Sequence, residues 1–287
     1  PLGPREVFGV VWDNLDGDTN TTIASSKLRE VSAKPNCPPI QPSMRHFINW
    51  VANYTMSTPG MVLRMVLRTP AAYDQPALQE GLRFSGTEPE RMTGARAKVL
   101  ELVREGFMWT KSGLSHAAGV SGSVIEGLIK QGTFEKIQFP PPPIVPVPNI
   151  SYAEPELSEE QQKAAEKLIA LIKKGGSPVS LLDGVTGSGK TEVYFEAITE
   201  VLKQGSQILI LLPEIALTSG FLERFEQRFG AKPAQWHSDI TPKMRERVWR
   251  QAATGEINVV VGARSALYLP FCHLGLIIVD EEHEAAF

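Results

Sequence analysis

The sequence predicts a multidomain protein with an α+β architecture in its first half and an α/β architecture, built on a parallel sheet, in its second half. Three observations predict this. Short β-like runs and helical stretches mix without a fixed order before residue 140. Six prolines then occur within the nine residues 140–148. Beyond them, short β-branched runs alternate regularly with helical stretches, which is typical of parallel strands covered by helices on both faces.

Composition limits the class of protein. The chain has 287 residues, 42% hydrophobic and 21% charged, as in a soluble protein of two or three domains. Its longest strongly apolar stretches span about six residues, whereas a membrane helix needs ~20, so we expect no membrane segment. The only cysteines, Cys37 and Cys272, exclude a disulfide framework and a Cys-rich zinc site within this chain. They fit a cytoplasmic protein.

The charge of the chain does not by itself indicate nucleic-acid binding. The formal net charge is −3. Residues 1–148 hold 15 basic and 13 acidic residues, and residues 149–287 hold 14 and 19. Any DNA binding must therefore rely on local groups. Because the chain lacks an initiator Met and a cap at its last residues, we interpret it as a fragment of a longer protein.

Residues 1–88 predict a β-rich domain that contains one helix. Short β-like runs at 7–12 and 27–31 are broken by Asp-Gly and Pro turns. The stretch 43–54 has a helical pattern, with Phe47, Ile48 and Val51 on one face.

Residues 89–139 predict a winged-helix-like domain. Helical patterns at 94–105, 111–118 and 121–131 end near glycines and precede a short strand at 134–139. Helix, helix, turn, helix and strand in about fifty residues outline a winged helix. A three-helix unit without DNA contact is an open alternative, because the third helix carries only Glu126 and Lys130 as charges.

The proline segment 140–148 predicts a semi-rigid linker, since such a sequence cannot be helical. Residues 149–287 then predict a domain of alternating strands and helices. The helices are expected at 157–174, 190–204, 217–229 and 242–253, and the strands at 179–183, 207–212, 234–237, 257–261 and 276–279.

A phosphate-binding loop follows the first of these strands. Residues 184–191 read G-V-T-G-S-G-K-T and fit the pattern G-x-x-x-x-G-K-[ST] at every defined position. Glycines let backbone N–H groups approach phosphate oxygens, and the following helix adds a partial positive charge. Lys190 is expected to reach the β- and γ-phosphates and Thr191 to bind Mg²⁺. The residues expected to bind nucleotide here are Gly184, Thr186, Gly187, Ser188, Gly189, Lys190 and Thr191.

An acidic motif ends the last predicted strand. Asp280, Glu281, Glu282 and His283 follow four apolar residues, and ligands of open α/β sheets bind at that end of the strands. Asp280 is expected to hold Mg²⁺ through water, and Glu281 to polarise the attacking water as a general base. His283 could sense the γ-phosphate, or it could be a surface histidine.

The D-E-x-H motif resembles that of superfamily 2 helicases, and other segments agree in order and spacing. The segment L-S-E-E-Q, which ends at Gln161, resembles the adenine-reading Gln motif. The segment P-E-I-A-L-T resembles a DNA-contacting motif and implies roles for Glu214 and Thr218. The segment G-A-R-S-A-L resembles the next such motif and implies DNA contacts by Arg264 and Ser265, although Ala263 stands where Thr is more usual.

The combination of motifs indicates one particular family within that superfamily. G-V-T-G-S-G-K-T-E-V-Y, L-P-E-I-A-L-T, G-A-R-S-A-L-Y-L-P-F and I-V-D-E-E-H together resemble the primosomal replication-restart DNA helicases of the PriA family. The resemblance extends more weakly over the first half, where residues 47–67 look like the end of that family's 3′-DNA-binding domain. Gly3 and Arg29 match family positions that contact a DNA 3′ end.

The resemblance implies a fold and a function. The fold would be an N-terminally truncated 3′-DNA-binding domain (1–88), a winged helix (89–139), the linker and the first RecA-like helicase lobe (149–287), which itself stops after the D-E-E-H strand. The function would be ATP- and Mg²⁺-dependent 3′→5′ unwinding at stalled or collapsed replication forks, leading to primosome assembly and replication restart in a bacterial cytoplasm. Zinc is expected only in a C-terminal part of the family that lies outside these residues.

The implied partners are forked or branched DNA with a 3′ end, single-strand DNA-binding protein and other primosome proteins. Two alternatives remain open. The chain could belong to another superfamily 2 translocase or repair helicase. As a fragment, it could be a fork-binding module with an incomplete ATP site, and we expect residues 1–287 alone to hydrolyse little ATP.

Overall fold

The computed structural model of the chain describes residues 9–12, 31–104, 106–185, 187–213 and 219–281. The chain divides into two compact units, residues 1–36 and 37–287. In the first unit, residues 9–12 and 31–36 form no strand. The β-like runs predicted at 7–12 and 27–31 are therefore not strands in these described parts, and the rest of both runs lies outside the described residues.

The second unit contains helices and strands in a mixed α/β arrangement. Its described helices are α1 (Pro42–Tyr54), α2 (Pro59–Val66), α3 (Gly94–Val103), α4 (Lys111–Ala118), α5 (Gly122–Lys130), α6 (Glu159–Lys174), α7 (Lys190–Lys203), α8 (Ser219–Phe229) and α9 (Pro242–Thr254). Its described strands are β1 (Gln79–Phe84), β2 (Phe134–Phe139), β3 (Gln207–Leu211), β4 (Ala234–Trp236), β5 (Val259–Gly262) and β6 (Leu274–Val279). Two 3₁₀ turns span Pro70–Tyr73 and Arg264–Tyr268.

A four-stranded parallel sheet with the order β4-β5-β3-β6 forms the centre of the second half. The central strands β3 and β5 are buried on both faces, as their apolar runs predict, whereas β6 at one edge is partly exposed. Ile208 and Ile210 point to the side covered by α7 and α8. Leu209 and Leu211 point to the opposite side, where α9 packs. This arrangement confirms the parallel α/β sheet expected from the sequence.

Residues 37–73 are helical and pack onto this sheet, which differs from the β-rich character expected for residues 1–88. A proline begins each of three helical segments, at Pro42, Pro59 and Pro70. Proline is favoured there because its fixed φ suits the first helical turn and its missing N–H costs nothing. The Trp249 indole N–H of α9 donates to the Val66 carbonyl at 2.8 Å, and Tyr73 contacts the same ring edge-on.

A second, smaller core lies under α3, α4 and α5. These helices and β2 match the predicted elements closely, and Thr93 and Thr110 cap α3 and α4 through their side-chain oxygens. Strand β1, which the sequence did not predict, pairs antiparallel with β2 from Gln79–Phe139 to Phe84–Phe134. A domain boundary at residue 88 would separate these two paired strands.

The proline segment is held against helices rather than free as a spacer. Arg247 of α9 donates to the Pro142 carbonyl at 2.6 Å, and the Ile144 N–H donates to the Gln251 side chain at 3.1 Å. Farther along, the buried Arg228 of α8 donates to the Ile150 carbonyl at 3.2 Å. Polyproline geometry leaves backbone groups without internal partners, and side chains of α9 bind one carbonyl and one N–H of the segment.

The strand predicted at 179–183 is wrong. These residues form no strand, and Val179 and Leu181 are 100% and 81% exposed. Residues 180–183 run beside α6 in an open groove that includes Leu168. An apolar run indicates burial but does not choose a partner strand, and here the outer edge of β6 has no partner among the described residues. None of the described helices is long and apolar enough to cross a bilayer.

The side chain of Gln207 in β3 links the sheet to the neighbouring backbone. Replacing it should therefore lower the stability of the fold. The side chain is 2% exposed and donates to the Ala252 and Ile257 carbonyls at 3.1 and 2.8 Å. It also accepts from the backbone N–H groups of Cys272 and His273, each at 3.0 Å. Because Gln207→Leu leaves these groups buried without partners, we expect a loss of about 2–4 kcal/mol in the free energy of unfolding.

Urea denaturation monitored by circular dichroism measures this loss. The matched control is Gln204→Leu, three residues earlier, where the side chain is exposed and the change should stay within about 0.5 kcal/mol. Equal midpoints for the two variants would contradict the role given to Gln207.

Candidate active site

The predicted phosphate loop joins the exposed segment 179–183 to α7. Gly187 and Gly189 have φ angles of 82° and 80°, which are strained for residues with a side chain. The Ser188 N–H donates to the Val185 carbonyl at 3.1 Å and closes a tight turn. A side chain at Gly184 would meet the Ser188 hydroxyl at 2.7 Å. Thr186 lies outside the described residues.

The side chain of Lys190 lies within this loop. Its Nζ donates to the Gly184 carbonyl at 2.6 Å and to the Val185 carbonyl at 3.4 Å. Lys190 is also the first residue of α7, where backbone N–H groups and the helix dipole favour an anion. The ammonium group therefore lies where phosphate oxygens could replace the two carbonyls.

Gln161 contacts the loop directly. Its amide Nε2 donates to the Ser188 carbonyl at 2.9 Å, and its Oε1 accepts from the Ser158 N–H at 2.8 Å. The second bond belongs to the capping box of α6. A Cβ on Gly189 would lie 2.3 Å from the Gln161 amide, so this glycine also makes room for the glutamine. The structure thus joins Gln161 to the phosphate loop through the backbone.

Asp280 follows β6 at the carboxyl end of the sheet, as predicted. Its N–H donates to the Leu211 carbonyl of β3 at 3.1 Å. Its carboxylate accepts from the Glu281 N–H at 3.0 Å and from the Tyr194 hydroxyl at 2.8 Å. Glu281 is exposed and has a left-handed φ of 55°. Glu282 and His283 lie outside the described residues.

Tyr194 connects the acidic motif to the phosphate loop. Its hydroxyl donates to the Asp280 carboxylate at 2.8 Å, and the side chain of Thr191 lies beside it. Burial, with a contribution from the Asp280 carboxylate, raises the pKa of this phenol, so it stays protonated and donates a hydrogen. A hydroxyl and a carboxylate on either side of this phenol are the kind of oxygen ligand that Mg²⁺ prefers, directly or through water.

Tyr194 was not among the site residues predicted from the sequence. Tyr194 lies one helical turn after Lys190, so it shares a helix face with that residue. The spacing was visible in the sequence, but Asp280 is 86 residues away and only the fold brings it to the phenol.

Arg264 and Ser265 lie exposed in the 3₁₀ turn after β5, at the same edge of the sheet as Asp280. Among the described residues, Arg264 forms no ion pair. The other residues expected to contact DNA, Gly3, Arg29, Glu214 and Thr218, lie outside the described residues.

The basic run on α9 has a structural role. Arg245 donates to the His237 carbonyl at 3.1 Å and lies over the Trp236 ring. Arg250 donates to the Ala72 and Asp74 carbonyls at 3.1 and 2.7 Å. With Arg247 on the proline segment, these arginines hold the preceding parts of the chain on the sheet. These three side chains therefore bind backbone carbonyls instead of forming a freely solvated basic face.

Two sequence profiles match the chain. Residues 1–68 match the PriA 3′DNA-binding domain (3′BD). Residues 154–287 match the family described as type III restriction enzyme, res subunit.

Several curated proteins named replication restart protein PriA are similar to the chain. The one from Haemophilus influenzae is 32% identical over 306 residues, which cover 100% of this chain and 40% of that protein. The one from Synechocystis is 32% identical over 295 residues, covering 99% of this chain and 32% of that protein. The one from Rickettsia felis is 44% identical over 139 residues, 48% of this chain and 21% of that protein.

The chain therefore spans about a fifth to two fifths of these relatives. Two relatives align with essentially all of it, and the two profiles lie on either side of the helical unit α3–α5. The chain belongs to the PriA family of replication restart proteins.

Proposed function

We propose that this chain is part of an ATP-dependent 3′→5′ DNA helicase that recognises stalled or collapsed replication forks and initiates primosome assembly and replication restart. The observation that carries the proposal is the place of Tyr194, whose hydroxyl donates to Asp280 of the acidic motif and lies beside Thr191 of the phosphate loop. It joins the phosphate loop to the acidic motif in a chain whose family consists of replication restart proteins.

In the proposed reaction, the loop glycines and the first turn of α7 hold the phosphates of ATP. Lys190 exchanges the Gly184 and Val185 carbonyls for β- and γ-phosphate oxygens and stabilises the charge that develops during transfer. Glu281 accepts the proton of the attacking water. Gln161 reads the adenine and, through Ser188, holds the loop in register.

Thr191 and Asp280 would hold Mg²⁺, which supplies charge neutralisation at the phosphates when bound. The Tyr194 hydroxyl donates to Asp280 and lies beside the Thr191 side chain. His283 is proposed to sense the γ-phosphate.

The DNA-binding proposal uses separate parts of the chain. The match to a 3′DNA-binding domain over residues 1–68 supports recognition of a DNA 3′ end, with Gly3 and Arg29 as contacts. Glu214, Thr218, Arg264 and Ser265 would follow the DNA strand across the helicase lobe. Arg264 is exposed at the sheet edge, as such a contact requires.

The helical unit α3–α5 with its ribbon β1–β2 is proposed to be a winged helix. The antiparallel ribbon packs with the three helices in one shared core, as a wing does. In a revised division, this domain begins before β1, the linker occupies 140–148 and a RecA-like lobe occupies 149–287. Several of its cations pair with carboxylates, among them Lys111 with Glu126 and Arg83 with Glu135. These pairs favour the alternative of a helical unit without DNA contact.

Single-strand DNA-binding protein and primosome proteins are the proposed protein partners, by family membership alone. Another superfamily 2 translocase is the second candidate function. It is favoured by the match over 154–287, whose description names a restriction enzyme subunit.

DNA binding and ATP hydrolysis, both measured with the full-length protein, test the proposal. We expect tighter binding to a fork with a free 3′ end than to a blunt duplex of equal length, and ATP hydrolysis that the fork stimulates. Affinity should fall with salt, because phosphate contacts release counterions. Equal affinity for both DNAs with retained hydrolysis would favour a general translocase, whereas fork binding without hydrolysis would favour a binding module.

A further inference from the structure

A ladder of aromatic rings crosses the outer face of α1. Phe47, Trp50 and Tyr54 are spaced three and four residues apart, so they share one face of the helix. The Phe47–Trp50 and Trp50–Tyr54 pairs are stacked, with interplanar angles of 16° and 12° and centroid distances of 6.4 and 5.2 Å. We call Phe47, Trp50, Tyr54 and Tyr268 the ring ladder.

The inner end of the ring ladder joins the helicase lobe. Phe47 lies 5.6 Å from Tyr268, the last residue of the 3₁₀ turn that begins at Arg264. The outer end is open, since Trp50 and Tyr54 are 60% and 75% exposed. Exposed stacked rings are unusual in a core-packing helix, whose buried residues here are Ile48 and Ala52 on another face.

The charge around the ring ladder suits a polyanion. Residues 37–73 contain three arginines and no aspartate or glutamate, and residues 257–279 likewise contain Arg264 and no carboxylate. These are the two segments that supply the ring ladder. The chain as a whole has more acidic than basic residues, so these two acid-free segments depart from the average, although Arg68 shares a groove with Arg245 and Glu246.

We propose that the ring ladder binds the unpaired bases of single-stranded DNA by stacking, with Arg64, Arg68 and Arg264 near its phosphates. Parallel exposed rings beside cations are how proteins bind single strands without sequence preference. The open face of Tyr54 extends the existing stack by one base, and the ladder leads toward the turn at Arg264. This inference rests on the proposed function, because it assigns a surface to its DNA substrate.

The test compares 287-residue chains in binding to a fluorescein-labelled 20-mer of thymidine, followed by anisotropy. The double variant Trp50→Ala, Tyr54→Ala should bind about 10- to 100-fold more weakly, since stacking is worth ~1–3 kcal/mol per base. The conservative variant Trp50→Phe, Tyr54→Phe should bind within about threefold of the wild type. Met61→Ala, Met65→Ala is the matched control, because it removes two exposed apolar side chains of the neighbouring α2 and should leave affinity unchanged.

An abasic oligonucleotide of the same length separates stacking from charge. It should bind the wild type and the Ala variant equally, because it offers phosphates but no bases. Equal binding of the thymidine 20-mer by the wild type and the Ala variant would overturn the proposal while leaving DNA binding intact. Failure of the wild type to bind any DNA would instead count against the proposed function of this chain.

Sedimentation velocity tests whether a second copy of the chain, rather than DNA, covers the ring ladder. A wild-type dimer that the Ala variant abolishes would assign the ring ladder to a second copy of the chain and overturn the proposal. If the wild type and the Ala variant are both monomers, the proposal is supported. Circular dichroism should show unchanged helix content, because both substituted side chains are exposed.

Discussion

Replacing Lys190 with alanine in the full-length protein should reduce DNA-stimulated ATP hydrolysis by about 10²–10³-fold or more and abolish unwinding. The ammonium group lies inside the phosphate loop, where its two present partners are backbone carbonyls. Removing a preorganised charge that stabilises developing negative charge has effects of this size. Fork binding should stay within about threefold of the wild type, because the proposed DNA contacts lie on other elements.

Lys203→Ala is the matched control for this prediction. It removes the same charge from the last turn of the same helix, at an exposed position far from the loop. Steady-state phosphate release and anisotropy with a forked DNA measure the two effects. A Lys190→Ala protein that retains more than a tenth of the wild-type turnover would show that the loop does not serve ATP hydrolysis.

The sequence predicted most elements of the fold because their patterns are local. The helices α4 and α9 and the strands β2 and β3 have regular apolar spacing and clear caps or glycine ends. Strand β1 was missed because its sequence, Q-E-G-L-R-F, has little alternation, and its partner β2 lies about fifty residues later. The segment 179–183 was misassigned for the opposite reason, since its apolar pattern is strong but the structure leaves it exposed.

The prolines show how one residue type can mislead. Prolines were interpreted only as turn or linker residues, yet Pro42, Pro59 and Pro70 begin helices. The proline segment was interpreted as a spacer, yet Arg247 of α9 binds its Pro142 carbonyl. In both cases the outcome depends on what surrounds the proline, which the local sequence does not specify.

The candidate site was predictable where the chemistry is contained in a short motif. Gly187, Gly189 and Lys190 occupy the loop because its backbone and charge require those residue types. The contact between Gln161 and Ser188, 27 residues apart, could be inferred only from family resemblance. Tyr194 could not be assigned at all, because a tyrosine in a helix is usually a packing residue and its partner is far away in sequence.

Replacing Asp280 with asparagine should also reduce DNA-stimulated ATP hydrolysis by about 10²–10³-fold, and it should raise the Mg²⁺ concentration needed for half-maximal rate. The amide keeps an oxygen that can accept from the Tyr194 hydroxyl, so the local structure should persist. It lacks the negative charge that holds a divalent cation, which is the proposed role of this side chain. Asp239→Asn, at an exposed position, is the matched control and should leave the rate unchanged.

Tyr194→Phe shows whether the phenol acts through Asp280. Loss of one hydrogen bond is worth about 1.4 kcal/mol, so the rate should fall about tenfold while the ring still packs. In the Asp280→Asn background, the same substitution should have an effect of threefold or less, because the carboxylate that it positions is already gone. Rates measured across a Mg²⁺ titration for all four proteins complete the cycle. If the two effects multiply fully, Tyr194 acts independently of Asp280, and the connection between the phosphate loop and the acidic motif does not run through its hydroxyl.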